Sequence, residues 1–267
     1  MKWTEKEIEF LKENYKTMNS TEIGLALNRT EVAVQIKARK LGIKKNNLSK
    51  TNEDYFSVID NPDKAYWLGF IYADGFVVYD KNRRNYEIGI ELNSIDINHL
   101  HKFNSVFDNE HKILTRLKTN EMCRIRIYSK KMCEDLINLN IKPNKTYLSE
   151  YPTVNDDLFY HLLRGFIDGD GSYSTYKTKT TKRIIEYPRI TIVNNNLEFL
   201  KYIKHRVELD GIKCGIYKDG DCWKFSTYGK DSYYALVDKL FENANLFLDR
   251  KFNKININTH DSRLQGM

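Results

Sequence analysis

The sequence predicts an α+β fold in which one plan is used twice, preceded by a small all-α head, and three observations carry that prediction. The frame Gly-Phe-Ile-x-x-Asp-Gly occurs at Gly69–Gly75 and again at Gly165–Gly171, each time closing an apolar stretch. The pattern that follows each copy matches. Of the net charge of +7, residues 1–50 carry a surplus of five, from eleven Lys and Arg against six Glu, so a basic head precedes a nearly balanced body. The resulting division is a head over 1–46, a linker over 47–61, halves over 62–150 and 151–258, and a polar tail over 259–267.

The head reads as three short helices. Thr4 with Glu7 three residues on forms a capping box, and Ile8, Leu11 and Tyr15 recur at helical spacing, ending near Lys16. A second start lies at Asn19-Ser20-Thr21-Glu22, and a third helix opens at Thr30 and closes at Gly42. At 100° per residue this third helix puts Glu31, Gln35 and Arg39 on one outward arc, with Ala33, Val34, Ile36 and Leu41 covering much of the remainder. Gln and Arg are the side chains that read adenine and guanine edges bidentately. Residues 3–45 resemble Myb-like or phage-type helix-turn-helix modules, which makes the third helix a recognition helix carrying Gln35 and Arg39 to DNA. Residues 46–61 are polar, without sustained periodicity, and read as a linker.

Each half opens with an apolar helix carrying small residues four apart, Gly69 and Ala73 in the first and Gly165 and Gly169 in the second. Glycine inside a helix costs roughly 1 kcal/mol relative to alanine, and close backbone approach between two helices is what offsets it. Half one continues with a basic stretch, a strand with Ile88, Ile90 and Leu92, a helix over 98–107, a strand over 124–128 and a helix over 131–139. Half two gives a strand over 189–193, a helix over 197–209, a hairpin turning at Asp219-Gly220 and a helix over 232–241. If the two openers pack on each other, their ends bring Asp74 and Asp170 together. Paired carboxylates at helix C-termini repel, and a divalent cation removes the conflict. Mg²⁺ in particular binds through one or two carboxylates plus waters and substrate phosphates, which points to phosphodiester cleavage. Asp-Gly is also a common helix stop, but two copies in matching frames, with their Asp residues 96 positions apart, exceed what a stop signal explains.

The two openers resemble the nine-residue motif of the LAGLIDADG homing endonucleases in their single-chain, two-motif form, at Trp67–Gly75 and Leu163–Gly171, over about residues 55–255. The second copy is close. The first has Trp67 at the initial position and Tyr72 where the first Asp of the motif usually stands, while the eighth-position acid is present in both. The resemblance implies two saddle-forming antiparallel sheets, two central packed helices, and site-specific cutting of double-stranded DNA at a long asymmetric target. It also implies that Asp74 and Asp170, helped by the carbonyls of Ala73 and Gly169, hold Mg²⁺. A basic residue late in each half would sit beside each centre, at Lys145 and Lys251, which apart from the family read as surface lysines. Basic residues at matching offsets, Lys81, Arg83 and Arg84 in half one and Lys177, Lys179, Lys182 and Arg183 in half two, would meet DNA. Tyr176, Arg124, Arg126, Lys218 and Lys224 are expected near the same surface. With about ten phosphate contacts, affinity would fall steeply with salt. Relatives on this scaffold include non-cleaving DNA-binding regulators and RNA splicing maturases, and these stand as alternatives.

Other classes find no support. A hydrophobic content of 41% with only 4 Pro argues for a packed core. No apolar run reaches the ~18 residues of a membrane span, and the acidic N-terminus lacks a signal-like apolar segment, so a cytoplasmic protein is expected. Cys123, Cys133, Cys214 and Cys222 lack paired zinc spacing, and the six His form no metal-binding cluster. The expected partner is double-stranded DNA, with no membrane and no small-molecule cofactor. Two internal halves make a monomer the expected state.

Overall fold

The computed structural model describes residues 3–15, 18, 20–43, 52–107, 111–116, 121–143, 150–179 and 184–258. The chain forms two compact units, divided after Asn52.

The smaller unit holds α1 (Glu5–Asn14), α2 (Ser20–Leu27) and α3 (Glu31–Lys40). Thr4 and Glu7 close the capping box on α1, and Thr30 caps α3 through the Ala33 N–H. Leu11, Tyr15, Ile23, Val34 and Ala38 form the core. The inner face of α3 is thus Val34 and Ala38. Ile36, expected among the covering residues, is 51% exposed. Trp3 is flanked by the Arg29 guanidinium and the Lys37 ammonium, 5.0 and 5.8 Å from its ring centre, and Arg29 is paired with Glu7 at 3.0 Å.

The larger unit is α+β with an identical αββαββα order in each half. Half one comprises α4 (Pro62–Asp74), β1 (Gly75–Asp80), β2 (Asn85–Asn93), α5 (Ile97–Asn104), β3 (Ile113–Arg116), β4 (Met122–Tyr128) and α6 (Lys130–Asn138). Half two comprises α7 (Phe159–Asp170), β5 (Gly171–Lys179), β6 (Ile184–Asn194), α8 (Leu197–Leu209), β7 (Cys214–Asp219), β8 (Cys222–Thr227) and α9 (Gly229–Phe241), followed by α10 (Asp249–Asn258). Each half builds a four-stranded antiparallel sheet, ordered β1-β2-β4-β3 and β5-β6-β8-β7.

Local chemistry sets these boundaries. Asn61 accepts from Lys64 N–H and Pro62 opens α4, while Ser129 and Asn196 cap α6 and α8 in the same way. Gly220, with φ +60°, turns the β7–β8 hairpin. Alternation does the rest: Ile88, Ile90 and Leu92 on β2, Cys123, Ile125 and Ile127 on β4, and Ile190, Ile192 and Phe225 in the second sheet face the helices and are buried. Tyr55 and Phe56, placed in the linker by the sequence reading, are buried in this core, so the larger unit begins before residue 62.

Candidate active site

The helices α4 and α7 cross backbone against backbone. A β-carbon on Gly69 would lie 2.0 Å from the Leu162 carbonyl oxygen, and one on Gly165 would lie 1.9 Å from that of Tyr66. Near the helix ends, a β-carbon on Gly169 would lie 2.3 Å from Ala73 Cβ and 3.5 Å from the carboxyl carbon of Asp74. The crossing therefore carries Asp74 and Asp170, the last residues of α4 and α7, to one exposed edge of the larger unit. Gly75 and Gly171 let each chain pass straight into its first strand, since a β-carbon at either would fall 2.7 Å from the Cα of Ile71 or Ile167.

Two carboxylates at two helix C-termini concentrate negative charge, because the terminal carbonyls already carry the negative end of the helix dipole. A buried ammonium answers it. Lys251, on α10, is buried, and its Nζ donates to the carbonyls of Ile167 (2.8 Å), Gly169 (2.7 Å) and Gly171 (2.8 Å), which uses all three of its protons. Burial pushes its pKa down to about 8, against the pull of Asp168, Asp74 and Asp170. Lys251, which the resemblance puts beside the second centre and which apart from it reads as a surface lysine, is a buried clamp on the end of α7.

What holds α10 there is a set of residues the sequence reading passed over. Arg250 engages the buried Asp96 of half one with both Nε and Nη2, at 2.9–3.1 Å, and Lys102 reaches Asp249 at 2.8 Å. Asp168 is fully enclosed in the body of α7. Its Oδ2 accepts from Tyr66 Oη of α4 and from the Leu248 backbone N–H, both at 2.8 Å. Burial raises the Asp168 pKa to about 6, and those two hydrogen bonds oppose the rise. Tyr66 Oη also meets His99 Nε2 at 3.0 Å. Arg164, fully buried, donates to the carbonyls of Leu240 and Leu246 and so ties the end of α9 to α7. The visible signal for both was a charged residue inside an otherwise apolar helix.

In the first motif copy Tyr72 takes the position that Asp168 holds in the second. Its hydroxyl donates to the Glu150 carbonyl at 3.3 Å, and a cleft beside it is lined by Ala73, Asp170 and Asn194–Asn196.

As a cation site the pair offers hard oxygen donors, Asp74, Asp170 and the helix-end carbonyls. Among the described residues no cluster of three or more His, Cys, Asp or Glu suits a metal. Two carboxylates fit Mg²⁺, which takes few protein ligands and completes its shell with water and phosphate. The Gly169 carbonyl already accepts from Lys251, so a cation there would share that oxygen through its second lone pair.

The remaining candidates lie on the sheets and the head. Lys81, Arg83 and Arg84 are exposed on the β1–β2 turn, where Asp80 Oδ1 accepts from the Asn82 and Arg83 N–H groups and Arg84 has φ +51°. Lys177 and Lys179 are exposed far along β5, Lys177 paired with Glu186 at 2.6 Å. By strand alternation they share the parity of Tyr173, so they lie opposite the face that carries Tyr176. Lys218 likewise pairs in register with Trp223, on the parity of Phe225, and leaves the open face to Tyr217 and Lys224. Arg124 and Arg126 do lie on the open face of the first sheet, in register with Glu91 and Gly89. Gln35 and Arg39 are exposed on α3, with Gln35 Nε2 donating to Glu31 at 2.9 Å. Lys145, Lys182 and Arg183 lie outside the described residues.

Two αββαββα halves, joined by crossed helices that each end in an acid, make a LAGLIDADG-like fold. Solved structures agree. The chain is similar to the LAGLIDADG meganuclease I-AabMI bound to uncleaved DNA, with a TM-score of 0.52 and 14% identity over 74% of this chain and 89% of that one. It is similar to the LAGLIDADG homing endonuclease I-SmaMI bound to cleaved DNA, with a TM-score of 0.51 and 14% identity over 74% and 87%. I-SmaMI bound to an uncleaved target with calcium ions gives 0.50 and 15% over 74% and 89%. At these identities the likeness concerns the fold. No family model and no curated protein matches the sequence. No helix among the described residues is long and apolar enough to cross a membrane.

Proposed function

We propose that the chain is a site-specific homing endonuclease that cuts double-stranded DNA with Mg²⁺ at two pseudo-symmetric centres. The observation that carries the reading is the meeting of Asp74 and Asp170 at one exposed edge, between two sheets whose helix-free faces are open. DNA-bound LAGLIDADG structures of the same fold support it, and a calcium-containing relative supports a divalent cation.

Asp74 and Asp170, with the carbonyls of Ala73 and Gly169, would hold Mg²⁺, which when bound supplies the positive charge that polarises a scissile phosphodiester. Lys251 fixes the Gly169 carbonyl and sets the geometry of the second centre; Lys145 is proposed for the corresponding place in the first. Lys81, Arg83, Arg84, Lys182 and Arg183 meet phosphates at the sheet ends, where charge positions the duplex without reading it, while Lys177 and Lys179, on the helix-side face of β5, reach the duplex only past the end of the strand. The head is a helix-turn-helix reader with Gln35 and Arg39 in a major groove, tethered so that it raises the local concentration of the core at its target. One chain carrying two unlike halves acts as a monomer on an asymmetric site, in the service of intron homing.

The test is cleavage of a pooled DNA library containing the native genomic neighbourhood, with Mg²⁺, beside an Asp74→Asn, Asp170→Asn double variant. Discrete double-strand cuts made by the parent alone are the expected result. Salt-sensitive retention of one sequence by both proteins, without cutting, would replace this reading with a DNA-binding regulator, and preference for RNA would replace it with a maturase.

A further inference from the structure

The chain that leaves each half is received by the other half. After α6, Glu150 and Tyr151 lie on half two: Asn196, the N-cap of α8, reaches the Glu150 carbonyl through Nδ2 at 3.4 Å, and the Tyr151 ring stands 5.4 and 5.3 Å from those of Phe199 and Tyr202. After α9, residues 247–250 lie on half one. Lys102 of α5 donates to the Phe247 carbonyl at 3.1 Å and to Asp249 at 2.8 Å, and its ammonium stands 5.3 Å from the centre of the Phe247 ring. Asp96, the N-cap of α5, takes Arg250. Asp96 and Asn196 thus hold equivalent places in the duplicated plan.

The two act differently. Asn196 Oδ1 caps its own helix, accepting from the Phe199 N–H at 3.1 Å, and a neutral amide meets the crossing chain. Asp96 makes no side-chain cap bond; its oxygens accept from Arg250 Nε, at 3.1 Å each, and one of them from Nη2 at 2.9 Å. An aspartate at this position ordinarily serves the helix it opens. Here the carboxylate, 6% exposed, is given over to a partner 154 positions away. A carboxylate so enclosed is costly without its cation, and the double contact fixes the orientation of the guanidinium.

Arg250 immediately precedes Lys251 on the first turn of α10. Neighbouring side chains on a helix project about 100° apart, so holding both fixes the rotation of α10 about its axis. Arg250 reaches half one, and Lys251 reaches the carbonyls at the end of α7. We infer that Asp96 is a positioning residue that half one supplies to the second centre: by holding Arg250 it keeps Lys251 on the Gly169 carbonyl, beside Asp170. The consequence for cutting rests on the endonuclease reading proposed above, whereas the hold on Lys251 stands apart from it.

The experiment compares the full chain with its Asp96→Ala and Asp96→Asn variants. The Arg250 side chain is 42% exposed and can turn to water, so removing the carboxylate leaves no buried charge unpaired. Without DNA or metal, each protein is treated with an amine-acylating reagent and, separately, with a thiol reagent, and the modified peptides are quantified by mass spectrometry. Lys251 is protected in the parent at 8% exposure, and Cys133 of α6, fully buried, reports global opening. Asp96→Ala should speed acylation of Lys251 about 10- to 100-fold, the weight of a charged hydrogen-bonded pair, with Cys133 unchanged. Asp96→Asn keeps the shape and drops the charge, and should give a smaller rise. In strand-resolved cutting with Mg²⁺, Asp96→Ala should slow the strand that Asp170→Asn slows most, relative to the other strand. Lys251 labelled no faster than in the parent, or Cys133 opening in step with it, overturns the inference. Faster labelling with the parent's ratio of strand cutting overturns the role of Asp96 at the second centre. A parent that cuts nothing overturns the endonuclease reading, and the labelling still decides whether Asp96 holds Lys251.

Discussion

Gly165 stands against Tyr66 so closely that a β-carbon would come within 1.9 Å of the Tyr66 carbonyl oxygen. The obstruction is backbone, which has no rotamer to yield. Gly165→Ala is therefore expected to push α7 away from α4, lower stability by at least about 2 kcal/mol and abolish cutting. Thermal unfolding and cleavage assays at a permissive temperature check both. A variant with the parent's melting temperature would show that the helices do not meet backbone to backbone.

Lys251→Met keeps the length of the side chain and removes its three donors. Three carbonyls at the end of α7 lose a partner, so stability is expected to fall by about 2 to 4 kcal/mol, the range for breaking a buried charged contact on one side. Cutting should fall further than DNA retention does, because the Gly169 carbonyl sits beside Asp170 and the sheets are untouched. Equal losses of cutting and retention would place Lys251 in the fold alone.

His99 is enclosed among Tyr66, Trp67 and Phe70, and burial lowers its pKa from 6.5 to about 3. A base whose folded pKa is depressed binds its proton in the unfolded state first, so its contribution to stability is full above pH 6.5 and is lost as the pH falls toward 3. Between pH 6.5 and pH 5 the loss is about 2 kcal/mol. His99→Gln should flatten the decline of stability over that interval relative to the parent, measured by denaturant unfolding at pH 7 and pH 5. An unchanged slope would mean that His99 titrates normally and is open to water.

In the head, Arg39→Ala and Gln35→Ala are expected to relax sequence preference at a few base pairs outside the stretch the larger unit cuts, by about 1–3 kcal/mol per position. The cutting rate on the central target should stay close to the parent's. Library selection reads the first effect and single-turnover cleavage the second. Altered positions inside the stretch that is cut would place the head elsewhere on the duplex.

The duplicated frame, the small-residue stripe and the alternation of the strands were legible in the sequence because each is a local pattern with a fixed period. Helix boundaries followed for the same reason, through Thr4, Thr30 and the two motif glycines. The parts that escaped depend on partners far along the chain. Apart from the family resemblance Lys251 reads as a surface residue, because the carbonyls that receive it lie some 80 positions earlier. Tyr55 and Phe56 sit in a polar stretch too short to show a period, and only the assembled core buries them. Lys177 was assigned by charge and by its offset from the motif, and Lys218 by charge, whereas register puts them on the other side of their strands from Tyr176 and Lys224. Ile36 shows the opposite error, an apolar residue credited with burial in a unit too small to cover every one.

The crossing of α4 and α7 also bears on how the chain is made. Gly69 finds its cover at Leu162, 93 residues later. During synthesis from the N-terminus, half one leaves the ribosome with the flat, apolar flank of α4 bare, and it stays so until the second motif has emerged. Closing a contact of that sequence separation is slow, and the exposed flank is adhesive while it waits. Truncation between the halves should therefore yield aggregates or chaperone-bound chains, and a synonymous pause placed after half one should lower the soluble yield of a protein whose finished form is unaltered.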